Sequence, residues 1–147
     1  MTIEPATAAH GEVLAALHLE CFGDAWPADN VVSMLTTPGA FGFIALLDET
    51  PVGFVVCRTA GDECELLSIG VIPVQRRTGL GRGLWESAIS EAKNRVAGNL
   101  YLEVAEDNLA AISFYISHGC TKYGLRKSYY RRPAGRVDGL LFRLALT

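Results

Sequence analysis

Two periods of hydrophobic spacing alternate along this chain, and each switch between them marks an element. From Ala8 to Cys21, Val13, Leu14, Leu17 and Cys21 fall along one side of a helix. Gly23 to Asn30 reads as a loop carrying Trp26-Pro27, and Val31 to Leu35 as a short second helix. Phe41 to Leu47 and Pro51 to Arg58 read as strands joined by the turn Asp48-Glu49-Thr50, with Cys64 to Val71 as a third strand. Gly81 to Val96 returns to helical spacing through Leu84, Ala88, Ala92 and Val96, with Trp85 and Ile89 beside them. Gly98-Asn99 stops that helix. Leu100 to Val104 has a period of two: Leu100, Leu102 and Val104 share one face, Tyr101 and Glu103 the other. Asp107 or Asn108 is placed to cap a helix from Leu109 to His118, which Gly119 ends in a left-handed conformation. Two strands close the chain, Thr121 to Tyr130 and Gly139 to Ala145. Helices, then strands, then strand–helix–strand–helix–strand predict an α/β (α+β) domain with a mixed sheet.

Composition narrows this picture. The 147 residues suit one domain over positions 1–147, and no repeat or low-complexity linker divides them. A net charge of −3 argues against general affinity for nucleic acid, and no apolar run is long enough to span a bilayer. Neither nucleic acid nor membrane is expected as a partner, and the expected state is a monomer or weak dimer. Met1-Thr2-Ile3-Glu4-Pro5 lacks the charged and apolar regions of a signal peptide, so a cytoplasmic protein is expected. Cys21, Cys57, Cys64 and Cys120 form no CxxC pair and no zinc spacing with histidine, so no metal is expected. Cys57 and Cys64 stand within reach of each other across a hairpin, and reduced thiols are the expected state. His10, His18 and His118 read as surface or packing residues.

The chemistry concentrates at Arg76-Arg77-Thr78-Gly79-Leu80-Gly81-Arg82-Gly83, between the strand ending at Val71 and the long helix. Glycines let a backbone approach a ligand closely, and a helix start offers unpaired N–H groups with a positive dipole end. These properties, with flanking arginines, describe a phosphate cradle. A Walker loop needs Lys-Ser/Thr after its last glycine, whereas Arg82-Gly83 follows Gly81. A dinucleotide fingerprint needs a third glycine where this chain has Leu84. A plain flexible turn before a helix is the remaining alternative.

Arg76-x-x-Gly79-x-Gly81 resembles the Q/R-x-x-G-x-G/A signature of the GNAT family of N-acetyltransferases. Ile69-Gly70-Val71-Ile72-Pro73, Leu102-Glu103-Val104, Asn108-Leu109-Ala110-Ala111-Ile112 and Phe114-Tyr115-x-x-x-Gly119 are similar to further stretches of the family. Tyr129-Tyr130, Asp138 and Trp26-Pro27 resemble one subgroup, the bacterial ribosomal-protein-alanine acetyltransferases (RimI type). Departures are Ile72 before Pro73, Gly70 in place of a frequent alanine, and His118 and Cys120 around Gly119. The resemblance implies a mostly antiparallel central sheet flanked by helices, splayed between the strands ending near Val71 and Val104. It implies acetyl-coenzyme A as cosubstrate, bound by Ile69, Gly70, Val71, Arg76, Arg77, Thr78, Gly79, Leu80, Gly81, Arg82 and Asn108.

Acyl transfer to an amine needs neutral nitrogen. An α-amino group, with a pKa of about 8, is roughly a tenth neutral at neutral pH; a lysine, near about 10.4, is neutral below about 0.1%. A general base is therefore useful. Glu103, set apart from the Leu100/Leu102/Val104 face, is either a solvent-facing strand carboxylate or that base, acting directly or through water; the resemblance favours the base. Tyr115 is either helix packing beside Ile112 and Ile116 or the acid for a departing thiolate, and the resemblance favours the acid. Backbone N–H groups near Ile69 to Val71 are the implied donors to the developing oxyanion.

Lys127, Arg131, Arg132 and Arg136, with Tyr129 and Tyr130 interleaved, form either a solvated hairpin or a wall of the acceptor groove. The subgroup implies a protein N-terminus starting with alanine, from a ribosomal protein, as acceptor, contacted by Trp26, Tyr129 and Tyr130. The alternatives are transfer to a small-molecule amine, or a coenzyme A-binding regulatory module without turnover.

Overall fold

The computed structural model describes residues 1–23, 26–76 and 78–146. Among them, seven strands form one sheet in the order β1-β2-β3-β4-β5-β7-β6. The strands are β1 (Thr2–Pro5), β2 (Ala40–Leu47), β3 (Thr50–Ala60), β4 (Glu63–Val71), β5 (Asn99–Ala105), β6 (Thr121–Arg132) and β7 (Gly135–Ala145). The α-helices are α1 (Gly11–Phe22), α2 (Ala28–Thr36), α3 (Leu80–Asn94) and α4 (Leu109–Ser117). None is long and apolar enough to cross a membrane.

The expected elements are present, with shifts that have local causes. The first helix begins as a 3-10 turn, Ala8–His10, because Thr7 and His10 cap each other across it. α2 starts at Ala28, straight after Pro27, so the predicted loop is shorter. Asp48 and Glu49 both take left-handed φ values, 48° and 68°, which matches the twist of the β2–β3 hairpin. α3 stops at Asn94, two residues before the predicted end; Val96 has φ 63° and is 81% exposed, so it does not extend the buried stripe. β1 is a strand the spacing did not reveal, paired to β2 from Thr2↔Leu46 to Pro5↔Phe43.

Every neighbouring pair is antiparallel except β4 with β5. That parallel ladder covers three pairs, Glu63↔Asn99, Cys64↔Leu100 and Glu65↔Tyr101, and then ends. Beyond it the two strands run on without pairing to each other, β4 to Val71 and β5 to Ala105, which is the splay the family resemblance implied.

Helices cover the two sheet faces unequally. A Cβ on Gly53 would meet Leu84 of α3, while the next residue, Phe54, packs near His18 of α1. Successive strand residues point to opposite faces, so α1 and α3 lie on opposite sides. α4 joins α3, with Trp85 and Phe114 rings 5.9 Å apart. Leu84, Ala88, Ala92, Leu100, Leu102, Val104 and Phe142 bury against one another between α3, α4 and the sheet. Full burial of each large apolar side chain contributes about 1.5–3 kcal/mol. On the other face, alternation from Phe54 brings Arg58 to the side of α1, and the row Arg58–Glu65–Tyr101 carries that side across to β5. Tyr101 and Glu103 therefore stand on the α1 side, beyond the strands β2 to β4 that α1 and α2 cover.

All four cysteines are free. The β3–β4 register sets Cys57 opposite Leu66 and Cys64 opposite Thr59, so the two buried thiols are diagonal neighbours.

Candidate active site

The splay leaves one edge of β4 without a partner strand. Ile72 N donates to Val52 O on β3 at 2.9 Å. Alternation then turns the N–H groups of Val71 and Ile69 away from β3, toward the gap. Gly70 points its missing side chain at α1, where a Cβ would lie 3.1 Å from Cys21 Sγ and 3.1 Å from a Phe54 ring carbon. An alanine here would require Cys21 and Phe54 to give by a few tenths of an ångström.

The gap opens onto the start of α3. Gly79 is the N-cap in the left-handed region, φ 87°, and no side chain caps the helix. Nothing lies within 4 Å of a Cβ built on Gly79, and one on Gly81 makes only ordinary contact, with the Phe114 ring at 3.5 Å and Val71 Cγ2 at 3.9 Å. The first turn thus presents free N–H groups into open space, which suits an anion. Leu80 is buried and anchors this turn to the core. Thr78 Oγ1 donates to Gln75 O and closes the approach. Arg82 is exposed and pairs with Glu86 at 3.0 Å, one helical turn on. Arg77 lies outside the described residues.

Arg76 turns inward. Its Nε donates to Val71 O and its Nη2 to Cys21 O, both at 3.1 Å. The side chain clasps the end of β4 to the last turn of α1 rather than reaching toward the start of α3. Asn108 caps α4 through Oδ1, which accepts from Ala111 N at 3.2 Å.

Across the gap, Glu103 is held by two donors. Arg126 Nε lies 2.7 Å from Oε1, and the Tyr130 hydroxyl donates to Oε2 at 3.2 Å. A bulge between β6 and β7 brings these donors together. Arg126 pairs with Gly139 and Tyr130 with Val137, so Lys127, Ser128 and Tyr129 face Asp138 alone. Ser128 takes φ 51°, and its N–H donates to Asp138 Oδ1 at 2.7 Å. Tyr129 stands half exposed, edge-on to Tyr130. Arg132 reaches Asp107 with two bonds, Nε–Oδ2 at 2.7 Å and Nη2–Oδ1 at 3.0 Å, tying the β6–β7 hairpin to the end of β5. That guanidinium holds the Asp107 carboxyl below the usual carboxylate range.

Tyr115 is 8% exposed between Trp85 and Phe114, with ring centroids 5.9 and 5.7 Å away. Burial pushes its phenol far above the ordinary value, and Cys120, Cys57 and Tyr130 add to the effect. Tyr130, also raised by burial and by Glu103, reaches about 12. Tyr130 thus serves the Glu103 side of the site, its hydroxyl donating to Oε2. Trp26 stacks on His18 at 3.9 Å and stands against Phe54, on the α1 side of the sheet.

Residues 12–120 match the acetyltransferase (GNAT) family. The chain belongs to that family. It is 31% identical over 134 residues to the ribosomal protein bS18-alanine N-acetyltransferase of Escherichia coli strain K12, covering 90% of each chain. It is 34% identical over 137 residues to the N-alpha-acetyltransferase RimI of Mycobacterium tuberculosis, covering 89% of this chain and 85% of that one. The crystal structure of the ribosomal-protein-S18-alanine N-acetyltransferase from Escherichia coli superposes with a TM-score of 0.92 at 27% identity, over 99% of this chain and 94% of that one.

Sequence reasoning missed Arg126 and Gly139. Their signal is the bulge register, which brings Arg126 opposite Gly139. A Cβ on Gly139 would come within 2.9 Å of Glu103 Oε2. Neither feature has a spacing signature.

Proposed function

We propose that this chain is an acetyl-coenzyme A-dependent N-acetyltransferase that acts by direct transfer on the N-terminal alanine amine of a ribosomal protein. The observation that carries this reading is the β4/β5 splay, which leaves a strand edge of β4 free beside the uncapped start of α3, with Glu103 on β5 as the other strand of the gap. The names and extent of the similar proteins support the ribosomal acceptor.

Acetyl-coenzyme A supplies the activated thioester. The first turn of α3, from Thr78 through Gly79, Leu80 and Gly81 to Arg82, is suited to its pyrophosphate. The N–H groups of Ile69 and Val71 are suited to pantetheine amides, as an added strand would be, and to negative charge on the acyl oxygen. Asn108 serves both as cap and as a contact at the other wall. Glu103 takes the amine's proton, directly or through a water. Tyr115, protonated throughout the neutral range as any tyrosine is and raised further by burial, is the donor for the leaving sulfur. Trp26, Tyr129 and Tyr130 flank the acceptor. Free cysteines and a ribosomal acceptor both fit the cytoplasm.

The test is a transfer assay on peptides beginning with alanine, peptides with internal lysine, and small polyamines, with mass-spectrometric location of the acetyl group. Acetylation of the alanine α-amine is the expected result. Preferred transfer to polyamines would move the reading to a small-molecule enzyme. No release of free thiol with any amine would leave only a coenzyme A-binding module.

A further inference from the structure

The place an acceptor amine needs is already filled by a cation of the protein. Arg126 Nε lies 2.7 Å from Glu103 Oε1, and its guanidinium carbon is 5.3 Å from the centre of the Tyr129 ring. A carboxylate oxygen and an aromatic face together make a cation subsite. The second carboxylate oxygen is occupied by the Tyr130 hydroxyl. Gly139 is what makes room for this arrangement, since a Cβ there would press on both Glu103 and Tyr130, at 2.9 and 3.2 Å. The two partners of the ion pair are unequal. The Arg126 side chain is 57% exposed and the Glu103 side chain 21%. The arginine borders the bulge, where the ladder is interrupted, whereas Glu103 sits in a strand paired regularly to β7. A long, exposed side chain leaves such a pair at small cost, while the half-buried carboxylate stays.

We propose that Arg126 is a placeholder: in the free protein its guanidinium occupies the subsite between Glu103 and Tyr129 that receives the acceptor's ammonium group, and acceptor binding exchanges one cation for the other. This rests on the reading of Glu103 as the acceptor-side base. The exchange makes Arg126 a specificity-determining residue. A simple amine merely replaces one cation by another and gains little. A peptide N-terminus adds main-chain and side-chain contacts along Tyr129 and Tyr130 and so completes the exchange. The ligand class is therefore an ammonium group on a larger, contact-making body.

The experiment compares steady-state kinetics of the wild-type protein, Arg126→Ala, Arg126→Gln and Arg126→Lys on an alanine-start peptide. Thermal melting checks that each variant is folded, and the glutamine variant serves if alanine does not fold. Arg126→Ala is expected to lower the acceptor KM about fivefold, the scale of an exposed ion pair. Arg126→Lys should keep the wild-type KM. An acceptor KM that stays or rises in the uncharged variants overturns the placeholder. The wild-type arm separates the two readings. No transfer to any amine refutes the acyltransferase and the exchange with it, whereas transfer with an unmoved variant KM refutes the exchange alone.

Discussion

Glutamates on strands are common; what sets Glu103 apart is the pair of donors its carboxylate has collected, Arg126 and Tyr130. Replacing it with glutamine keeps its volume and removes only the proton acceptor and the ion pair. Glu103→Gln is expected to lower turnover by about 10²–10⁴-fold, the range for a general base, while calorimetric coenzyme A affinity stays near normal. A rate close to wild type would take Glu103 out of the chemistry. Tyr115 gives a second expectation, in stability. The folded phenols of Tyr115 and Tyr130 both titrate above the value of about 10 for an unfolded tyrosine. A raised folded value means that their contribution is fully present below that pH and is lost as pH rises past it. Urea midpoints should therefore begin to fall above about pH 9, where the thiols of Cys21, Cys57 and Cys120, also raised by burial in the folded state, titrate in the unfolded chain, and fall further above about pH 10 as the two phenols follow. Tyr115→Phe should fall less steeply, and an equal slope in wild type and variant would contradict it. At this scale the sequence was readable in residue type and face. Glu103 was separable from its apolar neighbours by alternation, but its donors come from a bulge some two dozen positions away and were not.

At the scale of elements, the glycine-rich turn was legible as spacing, and its geometry follows from it. Arg76 shows the limit of that reading. A charge before a phosphate cradle suggests a ligand contact, yet its guanidinium serves the carbonyls of Val71, at the end of β4, and of Cys21, in the last turn of α1. The length of α3 was over-read because Val96 continues the apolar spacing, while its left-handed φ lies past the helix end. The turn itself yields a test in which fold and ligand move in opposite directions. A Cβ at Gly81 would make only ordinary contact with Phe114, at 3.5 Å, so the position tolerates a side chain. Aspartate there adds a negative charge to the first turn of α3, which a helix dipole favours. Gly81→Asp is thus expected to melt no lower than Gly81→Ala, and to bind coenzyme A at least about tenfold more weakly by repelling its phosphates. Calorimetry showing equal affinity for the two variants would remove the pyrophosphate from this turn.

At the scale of the molecule, the sheet is built from two unlike halves. β2, β3 and β4 are covered by α1 and α2 on one face and by α3 on the other, and Phe54, Val55, Val56 and Cys57 of β3 are fully buried. β6 is an edge strand, exposed along most of its length, with Tyr123, Leu125 and Tyr129 open to solvent. None of this was legible locally. Strand order depends on which elements cross over, and β5 lies between β4 and β7 because of α3 and the turn before it rather than any pattern of its own. β1 escaped notice for a related reason: only Ile3 of its four residues is even partly buried. The asymmetry predicts where the structure opens. Amide protection follows burial and local packing, so β3 should exchange only by global unfolding and the outer strand β6 by local opening. Hydrogen exchange followed by mass spectrometry should therefore show β6 peptides exchanging first and β3 peptides last. Coenzyme A alone should slow exchange at the start of α3 and leave 126–137 unchanged. Adding an alanine-start peptide should slow 126–137 if Arg126, Tyr129 and Tyr130 at the bulge flank the acceptor as proposed. Protection that rises at the bulge with coenzyme A alone, or nowhere on β6 with both ligands, would mean that the acceptor does not lie against this hairpin.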